Sequence, residues 1–189
     1  MSPMRATLRD QRGFTLTELL VVAAVLGLIL AAVVIVQQRG QEAYLFGSHR
    51  VEVQQNNRAA LELMVRELRS ATSVTAVPSA TNLTFLDENG NTIQYQISGA
   101  ILNRTVTVTV AGTTTTTTTP LIGGVQTLAM AYYSDWNGAT NTGTTTTTPA
   151  QVKLIRLQLV TGTEDQVSSG SPGNQSATME TLVRLRNIP

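Results

Sequence analysis

The chain of 189 residues contains no cysteine, one histidine and one tryptophan. Without cysteine it forms no disulfide and offers neither a thiolate metal ligand nor a thiol nucleophile. The lone histidine, His49, lacks the second imidazole or thiolate that a transition-metal site requires. Its sequence holds no Ser/His/Asp order, no glycine-rich phosphate loop and no metal motif, which argues against an enzyme. Charged residues make up only 13 % and the net charge is +1, so no basic field draws nucleic acid by bulk electrostatics. The expectation is a non-catalytic chain with no cofactor and no bound metal. Lacking cross-links, its folded part must rest on one small apolar core.

What the chain does have is an apolar run behind a basic leader. Residues 19–36 carry no charge and no proline. With residues 14–17 added, the run is long enough to cross a hydrocarbon core of ~30 Å at ~1.5 Å per residue. Arg5, Arg9 and Arg12 precede it against one acid, Asp10. The positive-inside rule therefore predicts a single pass, with a cytoplasmic N-terminus and everything after Val36 outside. An ordinary secretory signal has an apolar segment of roughly 7–15 residues, shorter than this one, and Ala31 and Ala32 lie inside the run instead of after it. One acid, Glu18, sits just within the apolar stretch. An unpaired carboxylate there costs several kcal/mol, so it needs a partner.

Gly13, Phe14, Thr15, Leu16, Thr17, Glu18, Leu19 and Leu20 spell G-F-T-L-T-E-L-L. With the basic leader and apolar run, this resembles the class III signal of type IV pilins and type II secretion pseudopilins. The resemblance implies a pilin fold, cleavage by a prepilin peptidase between Gly13 and Phe14, and N-methylation of Phe14 by the same membrane enzyme. It makes Glu18 the assembly residue, pairing with the methylated amine of a neighbouring subunit. The implied partners are that peptidase/methyltransferase, other pilin or pseudopilin subunits and an inner-membrane assembly platform. Physically, such a pair holds register, because a slipped helix leaves both charges buried and unmatched. Removing residues 1–13 deletes three arginines and one aspartate, moving the side-chain charge from +1 to −1.

The helical pattern continues past the membrane run. Leu61, Met64, Val65 and Leu68 form an i, i+3, i+4, i+7 stripe, and Arg58–Glu62 and Glu62–Arg66 are spaced for i,i+4 contacts. One helix is expected from about Thr15 to Ser70, weakened near Gly40 and Gly47, where bending or melting is expected. Residues 56–71 also resemble the helix end of PilW-type minor pilins and J-type pseudopilins. Many major pilins carry a proline in the membrane half of this helix, and its absence here leans towards a minor subunit.

From Thr72 the period changes to two. Residues 83–86, 92–97, 104–110, 126–133, 153–160 and 179–186 alternate apolar with polar side chains and predict an antiparallel sheet packed on the helix stripe, an α+β domain. Pro78, residues 87–91, Ser98 with Gly99, and residues 168–174 supply turns, with Asn89-Gly90-Asn91 closing a hairpin. The implied organisation is a leader at 1–13, a membrane and filament-core helix at 14–36, its amphipathic continuation at 37–71 and an exported β-rich domain at 72–189. The threonine runs 113–119 and 144–148 offer no apolar face and are expected as exposed loops or frayed hairpin tips.

Two other groups have sharper readings beside bland ones. Tyr132, Tyr133, Asp135 and Trp136 are either core at a strand end or a stacking patch. Asp87, Glu88, Asn89 and Asn91 supply oxygens around a glycine but lack the twelve-residue calcium-loop pattern. Glu164 and Asp165 are adjacent and point apart, a poor acid/base pair. The reading is a structural minor subunit of a surface pilus or a periplasmic pseudopilus, held in the inner membrane before assembly. Adhesion, motility, DNA uptake and secretion remain open as its purpose, as does direct nucleic-acid binding. The rival is a membrane-tethered ligand- or DNA-binding β-domain outside any filament.

Overall fold

The computed structural model describes residues 13–75, 79–164, 171 and 174–186. One helix, α1 (Leu16–Ser70), precedes eight strands: β1 (Ser73–Val74), β2 (Asn82–Leu86), β3 (Thr92–Ser98), β4 (Ile101–Val110), β5 (Thr113–Ile122), β6 (Val125–Tyr133), β7 (Leu154–Gly162) and β8 (Ser176–Arg184). This is the expected α+β architecture of a long N-terminal helix and antiparallel sheet. The chain divides into two units within α1, the first ending at Ala43 and the second starting at Tyr44.

In the first unit α1 is apolar all round from Leu19 to Val36, and Leu20, Val25, Ile29 and Val33 are all exposed. A helix without a polar face suits an apolar surrounding, and this stretch is long and apolar enough to cross a membrane. The melting expected at Gly40 and Gly47 is not seen, since α1 is helical through both. Each glycine costs about 1 kcal/mol against alanine, but an interior break would forfeit the flanking ladder and a new nucleus.

In the second unit α1 buries Val53, Asn57, Ala60, Leu61, Met64 and Leu68. The stripe is rotated from the expected one, and Val65 is only partly buried. Leu61, Met64 and Leu68 share one core with Phe85, Tyr95 and Leu102 of one sheet and Ile155, Leu157 and Leu159 of another. The strands form two sheets, ordered β1-β2-β3-β4-β5 and β6-β7-β8. The change of sheet falls at Gly123 and Gly124. Gly124 has φ +64°, and a Cβ on it would lie 2.2 Å from the Gly162 carbonyl oxygen. The Gly162 amide meanwhile donates to the Gly124 carbonyl at 2.7 Å. Only glycine tolerates both that φ and that approach.

Three polar ties join helix to strands. Arg104 on β4 pairs with Glu67 on α1 at 2.7 Å, both side chains largely covered. The Tyr95 hydroxyl on β3 donates to the same carboxylate at 2.5 Å. Burial, then that hydrogen bond, raises the Tyr95 pKa above the ordinary phenol value. Asn57 Nδ2 donates to the Ala177 carbonyl at 2.9 Å, fastening α1 to β8. Elsewhere Tyr132 donates to the Ser79 carbonyl at 2.9 Å, and burial pushes its phenol up to about 12.

The residues 113–119, expected as a loop or frayed tip, instead build β5. They pair with β4 from Arg104↔Thr119 to Val110↔Thr113. Hydroxyl pairs Thr105–Thr118 at 2.9 Å, Thr107–Thr116 at 3.1 Å and Thr109–Thr114 at 3.1 Å line one face. Threonine is β-branched and suits an extended backbone, so β5 needs no buried face to persist beside β4. Pro120 is tolerated because β5 is an edge strand. Residues 144–148 do lie outside helix and strand, apart from a bridge between Tyr133 and Thr145.

The β4–β5 turn has φ +49° at Ala111 and +82° at Gly112. Both central residues of this two-residue loop are left-handed, the type I′ pattern that favours Asn-Gly. Alanine there is strained by about 1 kcal/mol. Ala111→Asn is expected to increase amide protection across Thr109–Thr114 roughly threefold or more. Unchanged exchange would show that the turn carries no such strain.

Candidate functional site

The segment that carried the sequence argument opens α1. Gly13, Phe14 and Thr15 precede the first helical residue, Leu16, and all are exposed. A Cβ at Gly13 would meet nothing within 4 Å. Its φ is not in the left-handed range either. Among the described residues, then, nothing demands glycine at position 13. Phe14 is 86 % exposed and Gly13 is exposed as well, so the Gly13–Phe14 peptide bond is unobstructed by the described chain.

Thr15 is the residue before the first turn and Glu18 the third residue of α1. The Glu18 amide donates to Thr15 Oγ1 at 3.2 Å, and the Thr15 amide donates to Glu18 Oε2 at 3.0 Å. This reciprocal arrangement is a capping box, satisfying two amides that a helix start otherwise leaves without partners. The Thr15 hydroxyl adds a third contact to Oε2 at 3.0 Å. All the hydrogen bonds fall on Oε2, leaving Oε1 free of any among the described residues. One oxygen fixes the carboxylate beside the first turn, and the other faces outward. Glu18 is therefore positioned to accept a cation while still capping its own helix. The role of Thr15 is readable as T-x-x-E in the sequence, but attention to the charge of Glu18 hid it.

The other candidate groups resolve differently. Tyr132 and Tyr133 are buried at the end of β6. The Trp136 ring meets Tyr133 edge-on with centroids 4.9 Å apart. Arg156 covers Tyr133 at 5.7 Å and donates to its hydroxyl at 2.7 Å. A Cβ on Gly143 would come within 2.7 Å of Trp136 Cε3. These rings are packed against one another, so the geometry favours strand-end packing over an open stacking platform.

Asp87 is occupied by its own turn. Its Oδ1 accepts the amides of Asn89 and Asn91, both at 2.8 Å, and Oδ2 accepts Asn91 Nδ2 at 3.0 Å. Burial pushes the Asp87 pKa up, but the hydrogen bonds from Asn91 and Asn89 outweigh this and hold it below the usual carboxylate value. A cation would have to displace those bonds. Glu164 Oε1 accepts the Gly123 amide at 3.0 Å. Its neighbour Asp165, Pro78, most of the turn at 168–174 and leader residues 1–12 lie outside the described residues. His49 Nδ1 is 3.9 Å from Glu52 Oε2 on the same helix.

Residues 8–34 match the family described as the prokaryotic N-terminal methylation motif. Among curated proteins, none matches the chain.

Proposed function

We propose that the chain is a minor subunit of a type IV pilus or a type II secretion-like pseudopilus, closest in kind to PilW-type or J-type subunits. The methylation-motif match at residues 8–34 supports a pilin or pseudopilin subunit processed by a prepilin peptidase and anchored by a single membrane pass. Cleavage falls between Gly13 and Phe14, Phe14 becomes the methylated N-terminus, and Glu18 is the assembly residue. The apolar helix to Val36 forms the filament core, residues 37–71 continue it, and the β-rich part faces outward from the inner membrane. Its role is structural, in filament initiation or tip, without catalysis.

One observation carries this reading. Inside the matched stretch, the Gly13–Phe14 bond is exposed and no described neighbour requires glycine at position 13. A requirement that the fold does not impose is supplied by something that reads the segment from outside. A processing enzyme is such a reader.

Intact mass and N-terminal peptide analysis of the protein recovered from membranes tests it, with and without the cognate prepilin peptidase. The expected product begins at methylated Phe14 and appears only with the peptidase. An uncut chain, or one cut near Ala32, would hand the argument to the tethered binding module.

A further inference from the structure

We propose that the groove between the outer part of α1 and β8 takes an extended acidic segment of another protein, which adds to β8 as a fourth strand of the second sheet. The proposal stands apart from processing at Gly13. β8 is the terminal strand of its sheet, hydrogen-bonded only to β7 among the described strands. Beside it lies a groove of about 690 Å³, with Leu61, Val65 and Met179 among its lining. Arg66, Arg69 and Arg186 line the same groove.

The arginines make the occupant specific. Arg58 pairs with Glu62 at 2.7 Å, Arg104 with Glu67 at 2.7 Å and Arg156 with Glu180 at 3.5 Å. Arg66, Arg69 and Arg186 form no ion pair or hydrogen bond among the described residues. Three unmatched guanidinium groups along one groove favour carboxylates, which they hold by paired hydrogen bonds.

The unpaired edge of β8 supplies backbone donors and acceptors, the basis of strand addition. In an added strand every second side chain turns towards α1, where Leu61, Val65, Met179 and the arginines lie together, so acids at that spacing meet the guanidinium groups. The charge also decides against two other occupants. Of the edge strands of a second copy, β1, β5 and β6 carry no charged residue and the one acid of β8, Glu180, already pairs with Arg156, so a second copy leaves the arginines unmatched. A nucleic-acid duplex presents neither a peptide backbone to β8 nor apolar groups to the groove.

The test titrates the full chain in detergent micelles with a short labelled peptide of alternating valine and glutamate. Its controls are the same peptide methylated on its backbone nitrogens, an alternating valine–lysine peptide and a short DNA duplex. The acidic peptide is expected to bind, and backbone methylation or lysine to weaken binding at least about tenfold. Arg66→Ser, Arg69→Ser and Arg186→Ser together are expected to weaken it by at least about tenfold. As these side chains are exposed, the variant is expected to keep its circular dichroism. In a second variant, Arg69→Glu shifts the preference towards the lysine peptide. Absence of acidic-peptide binding, or equal binding of the methylated peptide, would overturn the proposal. DNA binding as tight and as dependent on the arginines would reduce the groove to a general anion patch and overturn it too.

Discussion

Replacing Glu18 by glutamine is expected to lower incorporation into filaments by at least about two orders of magnitude while leaving the first turn of α1 formed. Glutamine serves in a capping box as glutamate does, so the bond from the Thr15 amide is kept and only the charge is lost. The amine that Glu18 would meet on a neighbour then stays buried and unpaired, a loss of about 3–5 kcal/mol. Thr15→Val removes the opposite half of the box and keeps the charge; it costs about 1 kcal/mol and a several-fold loss at most. Glu18→Val removes both and should resemble the glutamine variant. Quantifying each variant in sheared filaments against its amount in the membrane checks the order. If glutamine assembles like wild type and Thr15→Val matches Glu18→Val, Glu18 is only a helix cap and its assembly role fails.

Glu67→Gln is expected to destabilise the second unit by about 2–4 kcal/mol, near 10 °C in melting temperature. The change strands the Arg104 guanidinium, whose side chain is 25 % exposed beside a carboxylate at 16 %. Such a pair is too covered to behave like an exposed surface bridge, whose worth is about 0–1 kcal/mol. Replacing both partners, Glu67→Met with Arg104→Met, is expected to recover at least half of the loss, because no charge is left unpaired. Thermal melting of the full chain in micelles reads all three proteins. A Glu67→Gln variant within about 0.5 kcal/mol of wild type would place the pair among surface bridges.

Tyrosines linked to this core add an alkaline limb. Tyr95 and Tyr132 are raised above the ordinary 10.0. The fold thus favours their neutral form. That stability is complete below pH 10.0 and is lost as pH rises, for Tyr132 through about 12.

What was legible in the sequence was what is local. The apolar period from Leu16 onward and the alternation in β2, β3 and β7 are repeated choices within one element, so the chain announces them. β5 was hidden because seven consecutive threonines have no alternation to read, although threonine suits a strand. β1, with two residues, is too short to carry a period. The division into two sheets turns on Gly124 meeting Gly162, an approach between residues far apart in sequence. Glu67, Tyr95 and Arg104 were unreadable for the same reason, since on the helix alone Glu67 looks like one more solvated acid. Thr15 is the instructive exception. The whole capping box lies within four residues, and was missed because a carboxylate in an apolar run drew an electrostatic reading before a backbone one.

The threonine arm has a consequence for how this chain can change over generations. In most strands, inserting or deleting one residue turns every buried side chain outward. In β5 from Thr113 to Thr119 both faces carry the same exposed side chain, so such a change leaves the strand's surface as it was. The pairing of Leu102 with Ile122, and the register shift beside it, separate this stretch from the core. A gain or loss of a repeated codon would lengthen or shorten the arm at its Ala111–Gly112 end and go no further. The hairpin is thus a place where the molecule's reach can vary by inheritance while its interior stays the same.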